Sequence, residues 1–218
     1  LAVLLEEMGR ALLPSPYYET VVLGSLYILD AGSEQQKGEF LPAVAGGKLL
    51  MTLALSEPDV EYDAASIAVT ATHRDGNYII NGTKLFVPYA NVADYILCVA
   101  RTAEGESTED GLTVFIVNTK TPGITCTPLK TLARDNQCEV IFENVAVSGD
   151  SILGELNNGW KDVRRAIQRA TAALCADMNG GAQKVLEMTV DYAKQRVQFG
   201  RPIGSMQALQ HHCANMSV

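Results

Sequence analysis

The stretch Ile67-Ala68-Val69-Thr70-Ala71-Thr72-His73-Arg74-Asp75-Gly76-Asn77-Tyr78-Ile79-Ile80 decides the fold class. Ile67, Val69 and Ala71 alternate with Ala68, Thr70 and Thr72, the two-residue period of a half-buried strand. Arg74-Asp75-Gly76-Asn77 supplies the turn of a hairpin, because Asp-Gly tolerates the positive φ that a tight, right-twisted connection requires. Tyr78-Ile79-Ile80 begins the return strand, and Asn81-Gly82 reads as a second turn a few residues on. Working outward, further strands are expected at Tyr95 to Ala100, Leu112 to Asn118, Ile124 to Leu129 and Cys138 to Phe142. Connections this short imply antiparallel neighbours, since a parallel crossover takes about a dozen residues or more. Residues 49–150 are therefore expected to form an antiparallel β-barrel or sandwich, with the acidic Glu104 to Asp110 as a solvated hairpin tip.

On either side the period becomes helical. In residues 1–48, Leu4, Leu5, Met8, Leu12 and Leu13 recur at three and four residue steps until Pro14 and Pro16 stop them. A mostly apolar run from Tyr18 to Ala31 follows, and Gly32-Ser33 reads as a helix stop and a new start. In residues 151–218, Asn157 or Asn158 can cap a helix that carries Trp160, Val163, Ile167, Ala170, Leu174, Met178, Ala182, Val185, Thr189 and Ala193. Gly180-Gly181 inside it means either a break or the close approach of a neighbour. Such a helix needs bundle partners, and the next begins near Gln207. The expected class is α+β multidomain: a helical segment, the β domain, then the start of a helical bundle, with both ends of the chain falling inside helical domains.

Composition excludes several classes. Of 218 residues, 47% are hydrophobic and 19% charged, which implies a packed core rather than disorder. Seventeen basic against 25 acidic residues, a net charge of -8, argue against binding nucleic acid or an anionic membrane surface. No apolar run approaches the roughly 18 residues of a membrane span. Cys98, Cys126, Cys138, Cys175 and Cys213 are odd in number and show no metal-ligand spacing, so buried free thiols in a reducing compartment are expected. That compartment is the cytoplasm or, in a eukaryote, the mitochondrial matrix. His73 beside the hairpin and His211-His212 near the end suggest no metal site. Glu187 and Asp191, four apart on the long helix, read as an exposed helix face rather than an acid pair.

Four strings in order carry a resemblance. They are Leu53-Ala54-Leu55-Ser56-Glu57-Pro58; Asn81-Gly82-Thr83-Lys84-Leu85-Phe86; Ala93-Asp94-Tyr95 running to Val99-Ala100-Arg101-Thr102; and Arg196-Val197-Gln198-Phe199-Gly200-Arg201-Pro202 with Gln207 beyond. Together these resemble the acyl-CoA dehydrogenase family, from about Leu26 onward. The resemblance implies FAD as cofactor and α,β-dehydrogenation of an acyl-CoA thioester, with electrons passed to an electron-transfer flavoprotein. It also implies a homodimer or homotetramer. By similarity the cofactor side comprises Leu53, Leu55, Ser56, Phe86, Pro88, Arg196, Gln198, Phe199 and Gln207. Leu55 and Ser56 would meet the pyrimidine edge of the flavin, Phe86 would flank the ring, and Arg196 would reach the pyrophosphate of FAD in a neighbouring subunit. Pro58 favours an extended Glu57, so this segment can present main-chain groups edge-on.

Departures from the family pattern matter as much. Glu61-Tyr62 stands where the family has a small Gly-Ser, Pro88 stands for a hydroxyl-bearing Thr, and Thr171, with Arg169 nearby, stands for an Arg that contacts CoA. Tyr62, Arg169 and Thr171 are the substrate-side candidates. The catalytic Glu is expected beyond Val218, since the alternative family position falls at Ala170. Two other readings share the fold: an acyl-CoA oxidase or flavin monooxygenase, and a non-catalytic assembly subunit.

Overall fold

The structure, a computed structural model, describes residues 1–59 and 63–218. In chain order the helices are α1 (Ala2–Ala11), a π-helical segment (Tyr18–Ser25), α2 (Leu26–Ala31), α3 (Glu34–Ala45), α4 (Trp160–Gln195) and α5 (Gln207–Met216). The strands are β1 (Met51–Ala54), β2 (Thr70–Arg74), β3 (Asn77–Pro88), β4 (Tyr95–Arg101), β5 (Leu112–Asn118), β6 (Ile124–Pro128), β7 (Gln137–Ser148), β8 (Ile152–Leu153), β9 (Val197–Gln198) and β10 (Arg201–Pro202). The chain divides into two compact units, Ser15–Arg169 and Leu1–Pro14 with Ala170–Val218, and each is described by itself.

The Ser15–Arg169 unit is a sheet with helices against one face, so the α+β expectation is right. Strand order is β6-β7-β3-β2-β4-β5-β8, with β1 also on β4. The decisive hairpin forms as read: Asp75 and Gly76 take φ of 48° and 80°, and Thr70 to Arg74 pair antiparallel with Asn81 back to Asn77. Three expectations are corrected. First, the sheet is mixed: β1 runs parallel to β4 from Met51–Tyr95 to Ala54–Cys98, and β2 meets β4 in parallel at Thr70–Arg101. The β2–β3 hairpin lies between β1 and β4 in sequence and supplies the crossover length that adjacent strands lacked. Second, the terminal strands β6 and β8 do not pair among the described residues, so the sheet is not a closed barrel.

Third, Asn81-Gly82 is no turn. β3 runs through it to Pro88 with a bulge against β7 between Ile80 and Gly82. Gly82 has φ of 135°, and a Cβ there would lie 2.8 Å from the Val69 side chain. A glycine that signals a turn in sequence here answers a close approach instead.

β4 shows why periodicity alone could not orient the sheet. Its core residues alternate between two apolar clusters: Leu97 and Val99 pack with Tyr27, Ile28, Phe40, Trp160 and Val163, while Ile96, Cys98 and Ala100 pack with Ile80, Phe115, Val140 and Phe142. A strand covered on both faces reads as a continuous apolar run. Ser33 starts α3 with a capping box: its hydroxyl accepts from the Gln36 N–H, and its own N–H donates to the Gln36 side chain. Neither Asn157 nor Asn158 caps α4. The Asn157 carboxamide accepts from Thr102, Asn158 donates to Glu155, and Gly159 directly precedes the helix. The Glu104 to Asp110 tip joins β4 to β5, and the Arg101 guanidinium holds it through the carbonyls of Asp110 and Thr108.

In the other unit α1 packs on α4 through mutual glycine contact. A Cβ on Gly180 would sit 1.8 Å from the Glu6 carbonyl oxygen, and one on Gly9 would sit 1.8 Å from that of Asp177. Of the two readings of Gly180-Gly181, close approach is therefore the right one, and α4 continues unbroken. Arg10 donates to both carboxylate oxygens of Glu187 at 2.8 and 2.5 Å, and Asn179 donates to Glu6. All five cysteines are free, but only Cys98 and Cys138 are buried. Cys126 and Cys213 are half-buried and Cys175 is exposed, because it falls on the outer face of α4. Among the described residues no helix is long and apolar enough to cross a membrane.

Candidate functional site

The motif residues of the Ser15–Arg169 unit converge on one ledge where β1 leaves the sheet. Ala54, paired with Cys98, is the last ladder residue of β1. Beyond it, the Leu55 carbonyl accepts from the Lys84 ammonium at 3.1 Å, and the Ser56 carbonyl accepts from the Leu85 N–H at 2.9 Å. These two bonds bring the Ser-Glu-Pro string beside the Lys-Leu-Phe string. Phe86 comes next, and its backbone is unusual. The register of β3 against β7 slips between Lys84 and Val87, and Phe86 takes φ of 53°. A bulge of this kind re-aims a side chain, and Phe86 is 42% exposed while Val87 is buried. Read in isolation, Phe86 would have been a core aromatic; the bulge makes it a surface platform.

Leu53 is buried, Leu55 half-buried and Ser56 8% exposed; Pro88 is half-buried and ends β3 opposite Gln137. Among the described residues the Ser56 N–H and hydroxyl have no hydrogen-bond partner. An exposed aromatic face beside a main-chain edge with free donors fits a flat heteroaromatic ring that has an apolar face and a hydrogen-bonding rim. On this observation the residues present fit a flavin.

The other cofactor-side residues belong to the second unit. α4 ends at Gln195, and β9 and β10 form a minimal hairpin whose tip, Phe199-Gly200, takes φ of 52° and 77°. Two successive positive φ values are those of a type I′ turn, which needs Gly or a residue held there by context. Phe199 is 90% exposed, and Arg196, Gln198 and Gln207 are exposed too. The Arg196 guanidinium has no partner among the described residues, although the Ile203 N–H donates to its carbonyl at 2.8 Å. Of the substrate-side candidates, Tyr62 lies outside the described residues, as does Glu61. Arg169 is ion-paired with Asp30, and Thr171 is exposed on α4.

Three groups that sequence reading left without a role stand out. Lys84 is fully buried and Glu57 is 4% exposed; they pair at 2.6 Å. The Glu57 carboxylate also accepts the N–H groups of Ala68 at 2.8 Å and Val69 at 3.2 Å. Burial lowers the Lys84 pKa, and Glu57 opposes that shift. Both residues sat inside recognised strings, so the signal was present without a structural reason. Glu19, in the π-helical segment, is the third. Its carboxyl is pushed up to about 7 by burial, and its Oε2 has no partner among the described residues. Thr20 beside it docks the segment on β1, its hydroxyl donating to the Met51 carbonyl at 3.1 Å. A lone acid in the apolar run from Tyr18 to Leu29 was the available clue. Glu187 is committed to Arg10, which lowers its pKa to about 2, so it is no proton acceptor for neutral-pH chemistry.

Comparison with known proteins bears on what this ledge belongs to. Residues 52–145 match the middle domain of acyl-CoA dehydrogenase and residues 157–218 its C-terminal domain. The chain is 36% identical over 199 residues to an acyl-CoA dehydrogenase of Bacillus subtilis, covering 90% of this chain and 52% of the relative. It is 35% identical over 224 residues to a 3-(aryl)acrylate reductase of Clostridium sporogenes, covering 99% and 58%. Butyryl-CoA dehydrogenase from Megasphaera elsdenii has a similar solved structure, with a TM-score of 0.92 at 29% identity over 99% of this chain and 58% of that one. The chain thus spans between half and three-fifths of the length of these relatives. Two consecutive domain matches of one family, the likeness of fold and the motif ledge agree: this chain belongs to the acyl-CoA dehydrogenase family.

Proposed function

We propose that the protein to which this chain belongs binds FAD and removes the α and β hydrogens of an acyl-CoA thioester, handing the electrons to an electron-transfer flavoprotein. The observation that carries this is the ledge: Phe86, turned out by a bulge, beside a pinned Leu55–Ser56 edge. Bound there, FAD would supply a ring that accepts a hydride from the β carbon. Holding and orienting that ring falls to the chain. The Ser56 N–H and hydroxyl orient the ring by its rim, and Phe86 covers a face and excludes water. Arg196, a permanently charged planar fork, would hold a pyrophosphate, in line with a homodimer or homotetramer in which it serves a neighbour. The proton-accepting carboxylate is assigned to no residue of this chain. Pro88, in place of a hydroxyl-bearing residue, offers the ring no hydrogen-bond donor. The division into helical residues 1–48, β residues 49–150 and bundle residues 151–218 belongs to the same reading.

The test is purification of the full-length protein, an absorbance spectrum, and assay with a panel of saturated acyl-CoA thioesters. Yellow protein that reduces an artificial acceptor without oxygen uptake supports the dehydrogenase. Peroxide release on adding acyl-CoA would make it an oxidase, and protein that stays colourless after incubation with FAD would leave only the assembly role.

A further inference from the structure

The buried pair Lys84–Glu57 is not explained by stability. Removing two charges from water costs several kcal/mol per ion, and an apolar pair of similar volume is commonly as stable or more so. What an apolar pair cannot do is hold a carbonyl. Lys84 is two residues before Phe86 on β3, and its ammonium reaches both Glu57, at 2.6 Å, and the Leu55 carbonyl, at 3.1 Å. Glu57 in turn accepts the Ala68 and Val69 N–H groups on the approach to β2. The exit of β1, the entry of β2 and the bulged end of β3 thus meet on one ammonium and one carboxylate. Leu55 lies past the last ladder residue of β1, so no ladder bond of β1 holds its carbonyl, and the Leu85 N–H of β3 holds only the following Ser56 carbonyl. Because the peptide is planar and trans, turning the Leu55 carbonyl onto Lys84 points the Ser56 N–H the opposite way.

We propose that Lys84 and Glu57 are positioning residues for the flavin: the buried pair presets the Leu55–Ser56 peptide plane, and with it the donors offered to the ring edge, before FAD arrives. The inference rests on the flavin reading given above and deepens it. Preset donors spare the ordering cost that a loose segment would incur on binding.

Two measurements on the full-length protein test it. In hydrogen exchange of the FAD-free wild type, the Ala68 and Val69 amides are expected to be protected already, while the Ser56 amide slows only when FAD is added. Ala68 and Val69 amides that gain protection only with FAD would mean the pair is not preset, and the proposal would fail. The second measurement compares Lys84→Met, the apolar double variant Lys84→Met with Glu57→Leu, and Val140→Ala in the sheet core as a destabilised control. Each is read by melting temperature and by FAD dissociation constant. Lys84→Met is expected to melt lower and bind FAD roughly tenfold more weakly, the worth of about one well-placed hydrogen bond. The double variant is expected to regain part of the melting temperature, because the Ala68 and Val69 N–H groups lose their acceptor, without regaining affinity, and Val140→Ala to lose melting temperature alone. A double variant that binds FAD as tightly as wild type overturns the positioning role while leaving the flavin reading intact. Wild-type protein that takes up no FAD overturns both.

Discussion

Gly180 and Gly181 are adjacent on α4, yet alanine is expected to act on them in opposite directions. In a helix interior, Gly→Ala gains about 1 kcal/mol of helix propensity. At Gly181 the added methyl would meet nothing nearer than the Gly9 carbonyl oxygen at 3.5 Å, an ordinary contact, so that gain stands. At Gly180 it would lie 1.8 Å from the Glu6 carbonyl oxygen, 1.6 Å short of the 3.4 Å at which ordinary contact begins, and 2.9 Å from the Arg10 nitrogen. Both obstacles are backbone, so no side chain can swing aside; α1 itself must retreat. A gap of even 0.5–1 Å forfeits about a quarter to a half of the dispersion attraction across it. Leu5 on α1, 1% exposed, would lose part of the roughly 1.5–3 kcal/mol that its burial contributes. Set against the propensity gain, Gly180→Ala should cost at most about 0.5–2 kcal/mol net, while Gly181→Ala should stabilise by about 1 kcal/mol. Thermal melts followed by far-ultraviolet circular dichroism read the two directly, at about 2–4 °C per kcal/mol for a chain of this size. Equal shifts of the same sign at both positions would refute close helix contact as the reason for the glycine pair.

Glu19 should make stability depend on pH. Its carboxyl is raised from 4.5 to about 7 by burial, so between those values the folded state keeps a proton that the unfolded chain has released. Its contribution is complete below about 4.5 and is lost as pH rises through about 7, on the order of 3 kcal/mol. Urea unfolding at pH 5 and pH 8 should show that loss in wild type and not in Glu19→Gln; parallel slopes for the two proteins would exclude it. Ser33→Ala, which removes the capping box of α3, should cost about 1 kcal/mol in the same assay. Phe86→Ala should weaken FAD binding with little change in melting temperature, because the ring is 42% exposed; a drop of several degrees would instead mark Phe86 as core.

The legible part of this protein was local. Alternation in residues 67–72, Asp-Gly at the hairpin and the three and four residue steps of α4 follow from backbone geometry that neighbouring residues set themselves. The motif strings were legible too, as were Leu55, Ser56 and Phe86 within them. Sequence could not say that Phe86 faces outward, because that depends on a register slip against β7, some fifty residues away. Gly82 misled for the same reason: one residue type serves turns, bulges and close approaches, and Val69, just before β2, decides which. The parallel pairing of β1 with β4 was hidden because short loops were read as forcing antiparallel neighbours, whereas strands distant in sequence can still be adjacent in space.

By itself, then, the sequence determined the longer strands and helices, though not β1, β8, β9, β10 or the second half of β3, together with the α+β class and the family that its motifs resemble. Those depend on the periods and side chains of a few residues at a time. Only the tertiary structure decided how the Ser-Glu-Pro and Lys-Leu-Phe strings become one ledge. That outcome rests on a buried ammonium from β3 meeting a carboxylate and a carbonyl from the exit of β1, a contact between residues 55, 57 and 84 that no local pattern encodes.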